Sequence, residues 1–218
     1  MHTREIKEIN FINDTMVKLS FDKGDIKFRP GQHFSLSIEE LFLNREYSVY
    51  SSVDDRDLEF LIKIVEDGIL TNALKSLKKG NSIHIHGPYG NFLSENISNY
   101  KKVILVATGS GVAPYRSFLK SSKISNFQLI HGIRNTDDII LDTEFDDQNL
   151  TYCISRQKKH NHFKGRVTDY LKLNKETLNS VDHVYYICGN KKMISETYDI
   201  LIDEYGVSSD RIFSETFF

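Results

Sequence analysis

The chain has 218 residues, enough for one large or two small hydrophobic cores, and its formal net charge of −2 argues against nucleic acid as a main partner. Its longest apolar stretches, "VILVA" at 103–107 and "VYYIC" at 184–188, fall far short of a membrane span. Two cysteines, Cys153 and Cys188, stand far apart with no CxxC pattern. That fits a reducing cytoplasm and excludes a cysteine-ligated iron–sulfur cluster in this chain.

The opening "MHTREIKEIN" lacks the apolar core of a signal peptide, so a cytoplasmic protein is expected. Residues 1–97 then read as β. "MVKLSFD", "HFSLSIEE", "REYSVYSS", "LEFLIKIV" and "NSIHIHG" are short β-rich runs parted by turn signals at Lys23-Gly24, Pro30-Gly31 and Asp54-Asp55. With one helical insert, "TNALKSLKK", they predict a small antiparallel barrel. "SENISNY" is the expected junction. Over 98–218 the rhythm changes: "KVILVAT", "NFQLIHG", "LTYCIS" and "HVYYICG" alternate with helix-like "APYRSFLKSS", "RVTDYLKL" and "KMISETYDILIDEYG". This is the βαβ pattern of a doubly wound parallel sheet.

Three constellations carry chemistry. In "VATGSGVAP" a strand ends at Thr108 and breaks into Gly109, Ser110 and Gly111, then resumes with helical spacing around Pro114. Two glycines one residue apart let backbone approach an anion, and the following helix start offers free N–H groups to a pyrophosphate. The next strand ends in "HGIRN", where an arginine rather than an acid favours a ribose 2′-phosphate over the 2′-hydroxyl. Here it is Arg134, joined by Ser155 and Arg156 of "SRQ" and Arg166 of "GRVT". Three guanidinium groups and a hydroxyl suit a phosphate dianion, which favours NADP over NAD.

The barrel half carries the other two. In "REYS" the strand period puts Arg45 and Tyr47 on one face and Ser48 on the other, a cation beside a ring able to stack a flat heterocycle. "EDGILTNAL" places Gly68 and Thr71 at a helix start, the Thr71 hydroxyl serving as cap or phosphate donor. Two phosphate-type sites imply two nucleotides. The histidine pairs His84/His86 and His160/His162 have no third ligand near them in sequence and read as solvent-facing; no metal is expected.

The ordered series "FRPGQHFSL", "REYS", "GILT", "GPYGNF", "GSGVAP", "HGIR", "SR", "GRVTDYL" and "CGNKKM" resembles the ferredoxin–NADP⁺ reductase family in its compact bacterial ferredoxin/flavodoxin form, over nearly the whole chain. The resemblance implies a flavin-binding barrel, an NADP-binding α/β domain and FAD in the cleft between them. By it, Arg45 contacts the FAD pyrophosphate, Tyr47 stacks on the isoalloxazine, Ser48 lies near flavin N5, and Gly68 and Thr71 hold the flavin phosphate. Thr108, Gly109, Ser110, Gly111 and Pro114 cradle NADP(H), Arg134, Ser155, Arg156 and Arg166 surround the 2′-phosphate, and Cys188 and Gly189 lie near the nicotinamide.

The terminal "SETFF" matches the family's acid-plus-aromatic segment, with Glu215 beside the reacting atoms and Phe217 and Phe218 covering the flavin. Two phenylalanines left in water would be costly, which supports their docking on an apolar plane. Family members often end in tyrosine or tryptophan instead. Ser48, Cys188 and Glu215 are the expected catalytic set. The implied activity is electron transfer between NADPH and a one-electron carrier protein, ferredoxin or flavodoxin. The alternative is an NAD(P)H:flavin reductase or the reductase component of an oxygenase. Oligomeric state is left open, a monomer being favoured.

Overall fold

The computed structural model describes residues 2–38, 43–92, 97, 100–122, 124–141, 144–146, 148–157 and 161–217. The chain forms two compact units, Met1–Leu93 with Ala113–Lys123, and Ser94–Val112 with Ile124–Phe218.

The first unit is a six-stranded antiparallel sheet of β1 (His2–Asn13), β2 (Met16–Asp22), β3 (His33–Ile38), β4 (Leu43–Ser48), β5 (Asp57–Lys63) and β6 (Ser82–Tyr89). Its spatial order is β4-β3-β6-β1-β2-β5. The two edge strands then find each other. Val49 bridges Phe60, and the Tyr50 N–H donates to the Glu59 carbonyl at 2.8 Å, so the sheet closes into a barrel. Closure removes the exposed edges of an open sheet. Inside lie Val17, Leu19, Phe21, Phe34, Leu36, Phe60, Ile62, Ile83 and Ile85. Phe60 meets Phe21 and Phe34 edge-on at 6.1 and 5.9 Å. Each such side chain contributes roughly 1.5–3 kcal/mol on burial.

No alternation in the sequence foretells β1. It buries only Ile6 of its twelve residues and slips register between Ile6 and Glu8 and again between Phe11 and Asn13. Its place in the sheet comes from backbone pairing to β2 and β6 rather than from an apolar face. Helix α1 (Ile69–Leu74) starts earlier and stops sooner than "TNALKSLKK" implies, burying Leu70, Thr71 and Leu74.

The second unit holds six parallel strands: β7 (Lys102–Thr108), β8 (Phe127–Ile133), β9 (Leu150–Ile154), β10 (Phe163–Lys164), β11 (His183–Gly189) and β12 (Ile212–Thr216). Their order is β10-β9-β8-β7-β11-β12. The unit's helices are α3 (Val167–Leu173), α4 (Lys175–Leu178) and α5 (Lys191–Asp199). From β7 the chain winds outward through β8, β9 and β10, then returns to lay β11 against the other side of β7. The reversal leaves a switch point between β7 and β11, where open α/β sheets bind ligands at their carboxyl ends.

One element crosses the 97/98 division. Helix α2 (Ala113–Ser121) groups with the barrel unit although it lies within the 98–218 segment. Arg116 and Ser121 of α2 bond to the chain just after β4. Of the expected junction at 94–100, residues 94–96, 98 and 99 lie outside the described residues.

Candidate functional site

At the switch point, register aligns two rows across the sheet. One row runs His131, Ala107, Cys188 and Glu215; the next runs Gly132, Thr108, Gly189 and Thr216. Thr108 is therefore flanked by two glycines. Added Cβ atoms would meet its side chain, at 2.9 Å from Thr108 Cγ2 in the case of Gly132. Beyond Thr108, Gly109–Val112 forms a 3₁₀ turn that leads into α2, with Pro114 second in that helix and buried.

Gly109 has φ +55°, and nothing lies within 4 Å of where a Cβ would be, so its outer side is open. Gly111 is the opposite case: a Cβ would run into the Cys188 carbonyl and lie 2.9 Å from Gly189 Cα. The turn thus presses its Gly111 side against β11 while the N–H groups at its start face no intrahelical acceptor. An anion fits such a place.

The three arginines stand on adjacent strand ends. Ile133 pairs with Ile154, and beyond it the Arg156 N–H donates to the Arg134 carbonyl at 3.0 Å. On the other side of β9, Lys164 pairs with Ile154 and the Gly165 N–H donates to the Ile154 carbonyl at 3.1 Å, which brings Arg166 alongside. Ser155 sits between, its hydroxyl donating to the Ile133 carbonyl at 3.2 Å. Arg134, Ser155, Arg156 and Arg166 are all exposed. Among the described residues none of these arginines has a carboxylate partner within 4.0 Å. Asp138, which follows Arg134, spends Oδ2 on the Arg134 and Asn135 N–H groups.

Cys188 and Glu215 are cross-strand neighbours. Burial, reinforced by Glu215, pushes the Cys188 thiol well above its ordinary range, so Sγ keeps its proton. β12 is itself a strand where only a terminal segment was expected. The Phe217 N–H continues its ladder to the Gly189 carbonyl at 2.8 Å, with the Phe217 ring partly exposed. Phe218 lies outside the described residues.

In the barrel unit, Arg45 is exposed, and Tyr47 packs against the core with part of its ring uncovered. Burial, opposed by Arg45, raises the Tyr47 phenol to about 12, so it stays neutral. Ser48 is only 3 % exposed. Thr71 requires a correction: Gly68, not Thr71, caps α1. The Thr71 hydroxyl reaches the Val65 and Gly68 carbonyls and the Val65 N–H, each at 3.2 Å, and so braces the 65–68 loop from within. Gly68 is needed there because a Cβ would collide with that hydroxyl. The loop, rather than the Thr71 side chain, is what remains to meet a phosphate.

Two residues at the switch point escaped the sequence reading. Asn190 caps α5 by accepting the Met193 N–H at 3.0 Å and donates Nδ2 to Thr108 Oγ1 at 3.2 Å. Its signal was an asparagine directly before a helical run. His131 is fully buried and bonds the Gly109 carbonyl at 2.9 Å. Its signal was a histidine in a largely apolar strand.

These residues fit two nucleotide cofactors: an open glycine turn and exposed arginines in one unit, a half-covered aromatic ring beside a cation in the other. Fold and sites define a two-part flavin- and pyridine-nucleotide-binding oxidoreductase. The oxidoreductase FAD-binding domain model matches residues 6–93, and the oxidoreductase NAD-binding domain model matches 105–199. The chain belongs to the oxidoreductases that these two models describe, an FAD-binding domain followed by an NAD-binding domain.

Among its relatives is the flavodoxin/ferredoxin–NADP reductase of Buchnera aphidicola subsp. Schizaphis graminum, 29% identical over 185 residues, 76% of this chain and 72% of that one. The ferredoxin–NADP reductase of Azotobacter vinelandii is 24% identical over 235 residues, covering 95% and 91%. In fold the chain is similar to a ferredoxin NADP⁺ reductase from Neisseria gonorrhoeae crystallised with bound FAD and NADP. That likeness has a TM-score of 0.90 at 21% identity and covers 100% of this chain and 98% of the other. No helix among the described residues is long and apolar enough to cross a membrane.

Proposed function

We propose that the chain passes electrons between NADPH and a one-electron carrier protein, ferredoxin or flavodoxin, through FAD. The observation that carries this is the pairing of the open Gly109–Val112 turn with exposed Arg134, Arg156 and Arg166 on neighbouring strand ends. When bound, FAD accepts two electrons as hydride and returns them singly, which no side chain can do.

The protein's part is binding and orientation. N–H groups of the turn hold the dinucleotide pyrophosphate, and the arginines with Ser155 take the 2′-phosphate. Arg45 and the 65–68 loop hold the flavin's phosphates, and Tyr47 offers its ring to the isoalloxazine. Ser48, Cys188 and Glu215 serve the reacting end. Cys188 Sγ retains its proton and so presents an uncharged, weakly nucleophilic surface there. Phe217 supplies the covering aromatic. A reducing cytoplasm accords with the two buried free thiols, Cys153 and Cys188.

The test is anaerobic titration of the purified flavoprotein with NADPH and NADH, with ferredoxin and flavodoxin as acceptors, repeated on Arg156→Ala. NADPH should bleach the bound flavin and either carrier should reoxidise it. Arg156→Ala should raise KM for NADPH by about tenfold or more and leave that for NADH nearly unchanged. Equal effects on both nucleotides would remove the 2′-phosphate assignment. Flavin lost on gel filtration and reduced only when free would point to a flavin reductase instead.

A further inference from the structure

We propose that His131 is a positioning residue for dinucleotide binding: its imidazole fixes the Gly109–Ser110 peptide so that the Ser110 N–H faces outward, toward the pyrophosphate. This rests on the dinucleotide reading above.

The geometry begins at the carbonyl. Gly109 O can only accept, so His131 Nε2, 2.9 Å away, must carry the proton. Nδ1 is then a bare lone pair, and among the described residues it has no partner. The ring is fully buried, tilted against Tyr152 at 5.6 Å. Tyr152 is itself committed, its hydroxyl accepting the Leu141 N–H at 3.0 Å. An apolar side chain would fill the same space without burying an unsatisfied nitrogen. What the imidazole adds is one directed hydrogen bond to the turn.

That bond sets a direction. In a trans peptide the C=O and the following N–H point opposite ways. Holding the Gly109 oxygen down against β8 therefore turns the Ser110 N–H away from the sheet. Gly109 permits this through its φ of +55°, with open space on its outer side. Without the tether the 109–110 peptide is held only by its own 3₁₀ turn, and a donor needed by the anion is less firmly pre-aimed.

The test compares the FAD-loaded parent with His131→Phe, His131→Asn and His131→Gln, measuring NADP⁺ affinity by calorimetry and FAD content by absorbance. The glutamine amide reaches the position of Nε2, whereas the asparagine amide stops at that of Nδ1. His131→Phe and His131→Asn should bind NADP⁺ about tenfold more weakly and His131→Gln within about threefold of the parent, with FAD content equal throughout. Long-range ¹⁵N spectra of the parent should show the neutral Nε2–H tautomer at His131.

Parent-like affinity in His131→Phe or His131→Asn, or an Nδ1–H tautomer, overturns the proposal alone. A parent that binds neither NADP⁺ nor NADH overturns the dinucleotide reading and the proposal with it. Should His131→Phe fail to fold, the asparagine–glutamine contrast and the tautomer decide.

Discussion

Replacing Arg116 by methionine should cost the protein about 2–4 kcal/mol. Arg116 leaves the glycine turn on α2 and lies only 13% exposed, its guanidinium 4.2 Å from the Tyr50 ring centroid. Nη1 donates to the Tyr50 carbonyl at 2.8 Å, and the Glu59 carboxylate stands 3.8 Å away. A hydrogen bond from a charged donor is worth about 1.5–3 kcal/mol. A partly desolvated cation–π contact adds about 0.5–2 kcal/mol. Glu59 keeps Lys18 at 2.9 Å, so its charge is not stranded and the long Arg116–Glu59 pair contributes little. Methionine nearly conserves the volume, so no large cavity forms.

The assay is urea unfolding of the FAD-loaded protein at pH 7. Arg116→Lys, which keeps the charge but not the fork, should fall between the parent and Arg116→Met. A double-mutant cycle with Tyr50→Leu should return a coupling of about 1 kcal/mol. A loss below about 1 kcal/mol in Arg116→Met, with zero coupling to Tyr50, would refute the reasoning.

Gly111→Ala should weaken NADP⁺ binding by about tenfold and cost about 1–3 kcal/mol, because the new Cβ must push the turn off the Cys188 carbonyl and Gly189. Calorimetry and a melt would show it, and parent values in both would contradict the close approach. A second expectation concerns acid. Burial holds His131 down to about 4 from 6.5, against the opposing pulls of the Gly109 carbonyl and Asp138. Unfolded chains bind that proton near 6.5, so stability is complete above 6.5 and falls as pH drops, by about 3 kcal/mol at pH 4. His131→Gln should lack this component between pH 6.5 and 4; identical pH slopes would rule it out.

Much of this protein is local, and local features are legible. β2, β7 and β11 coincide with "MVKLSFD", "KVILVAT" and "HVYYICG", because burying one or both faces of a strand demands runs of apolar residues. The glycine turn and Arg134 directly follow such strands and Arg156 stands two residues past β9, whereas Arg166 follows the unburied two-residue β10 and stood out only through its place in the motif series. Elements that bury little left no such trace. β1 hides Ile6 alone and β12 hides Ile212 alone, so backbone pairing rather than side-chain pattern holds them in place.

Strand order decided the rest. Cys188 meets Glu215, and Thr108 meets Gly189, only because β11 returns beside β7 and β12 beside β11, while β8 on the other side of β7 brings Gly132 to Thr108. His131 reaches Gly109 across 22 residues because β8 lies beside β7. The Thr71 hydroxyl, legible as a cap, turned inward to its own loop, and α2 joined the barrel through Arg116 and Ser121. Periodicity records which face of a segment is buried. What that face touches, and which polar atoms are spent on backbone before any ligand arrives, depends on neighbours that only the folded chain supplies.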